Sequence, residues 1–171
     1  MSDLRHRLST LTPEALFHVN AEIDRALEAT LAVSLGQDQR ATTLAGVFAA
    51  AAAALIAGLS ALLASPSPDP LLLWPTLAAA PGFLVAACLA AWATSPRDFW
   101  LPGFDPHHMI AVEGITDIPW AEVVTRKQRW LDQNRKVLLR SARLTSYGFL
   151  AAGVALAAAP LALLAAYFLT C

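Results

Sequence analysis

The stretch ATTLAGVFAAAAAALIAGLSALLA, residues 41–64, decides the fold. It contains no Asp, Glu, Lys, Arg or His. Two further stretches share that property: LLLWPTLAAAPGFLVAACLAAWA at 71–93 and SYGFLAAGVALAAAPLALLAAYFL at 146–169. Each is long enough to cross a ~30 Å hydrocarbon layer as a helix, which takes roughly 20 residues. In hydrocarbon every backbone N–H and C=O needs a partner within the segment, and a helix supplies one. The expected fold class is therefore all-α: an integral membrane protein with three transmembrane helices. The same stretches argue against a pump or carrier, which needs ionisable groups inside the membrane.

Composition agrees with a membrane location. Hydrophobic residues make up 57% of the chain and charged residues 15%, with a mean hydropathy of +0.52. A soluble domain normally carries about 25% charged residues. Cys88 and Cys171 form neither a disulfide framework nor a paired metal motif, and Cys88 reads as a small buried hydrophobe. The first 40 residues hold no apolar core region and no small-residue cleavage site, so the amino terminus is expected to stay on the chain.

The basic residues set an orientation. Arg5, Arg7, Arg25 and Arg40 precede the first span; Arg97, Arg126, Lys127, Arg129, Arg135, Lys136, Arg140 and Arg143 lie between the second and third. The turn Ser65-Pro66-Ser67-Pro68-Asp69-Pro70 and the carboxyl-terminal end have none. The positive-inside rule puts the amino terminus in the cytoplasm and Cys171 outside. Trp74, Tyr167 and Phe168 then mark the outer interface, and Trp92, Phe99, Trp100 and Tyr147 the inner one. A membrane-impermeant thiol reagent is expected to label Cys171 in intact spheroplasts while Cys88 stays protected. Labelling of Cys171 only after lysis would reverse the orientation.

Small residues point to helix packing. Gly46, Ala50, Ala54 and Gly58 form a ladder at spacing four on the first span, and Gly148/Ala152 and Gly153/Ala157 repeat the pattern on the third. Such ladders let another helix approach closely, where van der Waals contact drives association. Pro75, Pro81 and Pro160 are expected to kink or loosen their helices.

Two further helices are expected in the cytoplasm, each leading into a span. Thr12-Pro13-Glu14 combines a hydroxyl cap, proline at the first helical position and an acid in the first turn. Leu16, Asn20, Ile23, Leu27, Thr30 or Leu31, and Ser34 then follow on one face, with Gly36 the lone breaker. Beyond Pro119, residues Trp120, Val123, Lys127, Trp130, Asn134, Val137, Ser141 and Leu144 keep a period near 3.5, widened by Val124, Leu131 and Leu138. A sustained period of this kind predicts helix pairing, parallel, within one subunit or between subunits. Trp120, Val123, Trp130, Asn134 and Val137 are the candidate association residues. Asn134 reads either as a register-setting seam residue or as a half-exposed flank residue. The organisation predicted is an amphipathic helix at 1–40, a transmembrane hairpin at 41–93, a connector and basic helix at 94–145, and a third span at 146–171.

Arg40, Arg126, Lys127, Arg140 and Arg143 are assigned to anionic lipid head groups rather than to nucleic acid, because they flank the membrane and acids dilute the patch. Asp105, His107 and His108 fall short of a tetrahedral metal site, and no CxxC or HExxH accompanies them. No nucleophile elbow, phosphate loop or Cys–His pairing is visible, so neither an enzyme nor a cofactor is expected.

The order of parts resembles the transmembrane effectors of cyclic-pyrimidine (Pycsar-type) antiphage signalling, a family of small bacterial membrane proteins. Asp38-Gln39-Arg40-Ala41-Thr42-Thr43-Leu44 looks like that family's acid, base and alanine where the chain enters the first span. The basic helix with Lys127, Leu131 and Lys136 is similar in position. The resemblance implies a bacterial inner-membrane location and membrane disruption after a nucleotide signal; self-association is expected from the parallel helices and the small-residue ladder. Two other roles fit the same residues: an accessory subunit of a larger membrane complex, and a holin-like or channel-forming protein. For a channel the spans offer few polar residues beyond Thr42, Thr43, Ser60 and Thr76.

Overall fold

The computed structural model describes residues 8, 10–95, 98–101 and 120–170. The described residues are 90% helical, with no strand among them. The helices are α1 (Pro13–Ala64), α2 (Pro70–Ala93) and α3 (Trp120–Thr170). Each holds a segment that is long and apolar enough to cross a membrane, by length and composition.

Local chemistry explains the boundaries. Thr12 Oγ1 accepts the Ala15 N–H at 3.3 Å, and Pro13 opens α1 with its φ already helical. The helix then continues through Gly36 for 52 residues, since one glycine costs a helix only ~1 kcal/mol. Asp69 caps α2 by accepting the Leu71 N–H at 2.9 Å, with Pro70 in the first turn. Pro75 and Pro81 lie inside α2 and Pro160 inside α3, and both helices continue through them.

The chain divides into two compact units, Met1–Gly36 with Arg97–Leu139, and Gln37–Pro96 with Arg140–Cys171. The divisions fall inside α1 and α3, because each of these helices runs on without a break from one unit's residues into the other's.

The core of the first unit contains Leu8, Leu16, Ile23, Leu27 and Val124, flanked by Val19, Trp120, Ala121, Trp130 and Leu131. The expected face of α1 is therefore the buried one. Phe17 and Trp120 meet edge to face with centroids 6.2 Å apart. Asp24 and Lys127, one heptad further along both helices, pair across the same offset of 103 residues. A constant offset over seven residues on each helix defines a parallel, in-register pair within one chain.

The core of the second unit is built mainly from alanine: Ala86, Ala87, Ala90 and Ala152 around Phe48. Small side chains bring helix backbones close enough for dispersion to hold them where no hydrophobic effect operates. Phe48 fills the remaining volume against Phe83 and Phe149, at centroid separations of 6.4 and 5.9 Å. Ser141 donates to the carbonyl of Ala93 at 2.9 Å, satisfying one of the last carbonyls of α2, which the helix itself leaves open. Cys88 corrects an expectation: it is exposed on the surface of the chain, because Ala86, Ala87 and Ala90 form the inward face of α2 instead.

Candidate functional site

Among the described residues, a cluster of polar side chains lies on the seam between α1 and α3 in the first unit. Lys127 Nζ donates to both carboxylate oxygens of Asp24, at 2.8 and 2.7 Å. The lysine side chain is 3% exposed and that of Asp24 28%. Asn20 lies one turn before Asp24 on α1 and donates to its Oδ2 at 3.4 Å, while its own Oδ1 is buried without a hydrogen-bond partner among the described residues. The period along α3 put Lys127 on the seam, and that placement holds. Its assignment to lipid head groups is corrected, since the same position that continues the apolar stripe buries the ammonium against α1. Arg40, Arg126, Arg140 and Arg143 are exposed.

A second constellation clamps the connector. Asn134 is fully buried, and its amide reads both backbone groups of Trp100: Oδ1 accepts the Trp100 N–H at 3.0 Å, and Nδ2 donates to the Trp100 carbonyl at 2.8 Å. The Trp100 indole stacks on Trp130 with centroids 5.2 Å apart and planes within 1° of parallel. Asn134 thus behaves as neither a coiled-coil asparagine paired with its like nor a flank residue. It turns inward because the non-helical backbone at Trp100 offers a donor and an acceptor on one residue, which a primary amide matches. Trp130 and Trp120 are partly buried within the chain, and Val123 and Val137 are half-buried.

In the second unit the glycines that matter differ from the ladder. A Cβ on Gly82 would stand 2.5 Å from Ala155 Cβ, and one on Gly148 would stand 3.2 Å from the Ala86 carbonyl oxygen. Gly148 and Ala152 therefore pack closely, whereas Gly153 faces open space. On α1, Ala50 and Ala54 are exposed, and Gly46 and Gly58 have nothing within 4 Å of a built Cβ. At about 100° per residue, this ladder lies on the side of α1 away from the buried Phe48 and Ala52.

The hydroxyls of Thr42, Thr43, Ser60 and Thr76 donate to carbonyls four residues back on their own helices, at 2.7–2.9 Å. Asp105, His107, His108 and Phe104 lie outside the described residues. Among the described residues no group of three or more His, Cys, Asp or Glu is placed to hold a metal.

Sequence reasoning missed the partners rather than the seam. Asp24 carried no signal of its own: one acid among several on a helix flank, its role visible only once Lys127 is placed beside it. Trp100 carries no sequence signal for its stack on Trp130, and Gly82 none for its close approach to Ala155.

The geometry defines an all-helical chain with three candidate membrane spans and a buried polar seam between paired helix segments. No protein-family model, curated protein or solved structure matches it.

Proposed function

We propose that this protein is a non-enzymatic, multi-pass protein of the bacterial inner membrane, amino terminus inside, that self-associates through the ladder face of α1. The carrying observation is the open side of that helix. Its most apolar window is only 11% buried within the chain, and both ladder glycines face empty space. A small-residue face lets a second helix approach closely, which a leucine-rich face would prevent. Changing Ala50 and Ala54 together to leucine is expected to remove the oligomer, at a cost of about 1–2 kcal/mol per site. Crosslinking and size in detergent report it. An unchanged size would make the ladder a lipid-facing surface.

On this reading the activity is membrane disruption in response to a signal, as the effector resemblance implies. Membrane potential, followed with a dye in cells supplied with cyclic pyrimidine nucleotides, tests it. Depolarisation is expected with wild type and loss of the response with Trp130→Ala, which removes the indole stacked on the connector. An accessory-subunit role is the second reading, favoured by the same open face, on which a different subunit's helix would also fit. Absence of any nucleotide response, with stable co-purification of other membrane subunits, would establish that role. A channel receives less support, because the hydroxyls of Thr42, Thr43, Ser60 and Thr76 are bonded to their own helices.

A further inference from the structure

We propose that the Asp24–Lys127 pair is a register selector for the α1–α3 seam, holding Phe17 against Trp120 and excluding pairings displaced along the helices. This ion pair is a poor source of stability, because taking the lysine charge out of water offsets most of its attraction to the partly exposed Asp24. Its value lies in discrimination. Of the apolar seam residues, Leu16, Ile23, Leu27, Val124 and Leu131 are similar in size and discriminate weakly between partners, while Trp120 and Trp130 add bulk on the α3 side.

The charges discriminate more sharply. A displacement of one heptad in one direction sets Lys127 against Leu31 and Asp24 against Trp120. The opposite displacement sets Lys127 against Phe17 and Asp24 against Asn134, which is already engaged with Trp100. Either costs the ammonium its two hydrogen bonds to a carboxylate, which a hydrocarbon side chain does not replace and a phenyl ring replaces only with a weaker cation–π contact. Asn20 adds to the discrimination by donating to Asp24 from the preceding turn. Asn134 engages the connector, whereas the charge pair ties α1 directly to α3.

The test uses the full chain in detergent with Cys88 and Cys171 changed to serine and nitroxide labels on cysteines replacing the exposed Glu28 and Arg129. Pulsed dipolar spectroscopy, with unlabelled protein as spin diluent, reads the distance between α1 and α3. The parent is expected to give one narrow distribution. Asp24→Leu with Lys127→Met should fold to the same helix content, with an unfolding midpoint at or above the parent's. It should show a broadened distribution or a second, resolved population, since a slide of one heptad moves one label about 10 Å along the helix axis relative to the other. The charge-reversed variant, Asp24→Lys with Lys127→Asp, should restore the single distribution. One unchanged narrow distribution in the apolar double variant would overturn the proposal by showing that the rest of the chain sets the register. Failure of that variant to fold would also overturn it, by making the pair a source of stability.

Discussion

Replacing Gly82 with leucine is expected to separate α2 from α3 and to be the most damaging single change in the second unit. Even a methyl group at this position would stand 2.5 Å from Ala155 Cβ and 3.3 Å from the Ala151 carbonyl oxygen. Both opposing atoms are fixed to the helix backbone, so no rotamer change relieves the contact and one helix must move. Overpacking costs typically about 1–3 kcal/mol, and a leucine at a site that rejects a methyl should reach or exceed about 3 kcal/mol. For Gly82→Ala the gain in helix propensity, ~1 kcal/mol, offsets part of the clash, leaving a smaller loss. Reversible unfolding in mixed micelles measures both. The second change Ala155→Gly should recover most of the loss in Gly82→Ala, because it removes the atom in the way. Without that recovery, the close approach of Gly82 and Ala155 would not be what limits the site.

Trp130→Ala should have a comparable effect on the first unit. A fully buried tryptophan costs about 3–5 kcal/mol on truncation. Trp130 is only partly buried, so about 2–3 kcal/mol is expected for lost packing against the core and for the lost stack on Trp100. Asn134→Ala removes two hydrogen bonds to Trp100, each worth about 1 kcal/mol net. Because Trp100 is exposed enough for water to replace those bonds, the loss should stay below that of Trp130→Ala. Both changes act on the same connector residue, so their effects should fall short of additivity by at least about 0.5 kcal/mol. Limited proteolysis supplies the second readout: each variant should expose the peptide bonds around Trp100 to cleavage. Strict additivity with an uncut connector would separate the amide clamp from the indole stack.

Much of this architecture is legible in composition and period. Three uncharged stretches suffice for three spans, because hydrocarbon leaves the backbone no other way to satisfy its polar groups. The caps at Thr12 and Asp69 start helices by local hydrogen bonding, which depends on neighbours in sequence. The face of α1 through Leu16, Ile23 and Leu27, and the α3 stripe through Lys127 and Asn134, follow from helical periodicity alone. Local periodicity places a residue on a face without naming what lies opposite. Lys127 and Arg126 are adjacent basic residues on one helix, yet the first is buried against Asp24 and the second is exposed. Periodicity separates their faces, but only the tertiary pairing names Asp24 as the partner of Lys127, because the ion pair spans 103 residues of chain. The same holds for Asn134, whose partner Trp100 arrives from an irregular connector, and for the glycines. Gly46 and Gly82 look alike in an alanine-rich span, but one faces empty space and the other meets Ala155. Elements arose from short-range chemistry readable in order along the chain, whereas function-bearing contacts arose from which faces met.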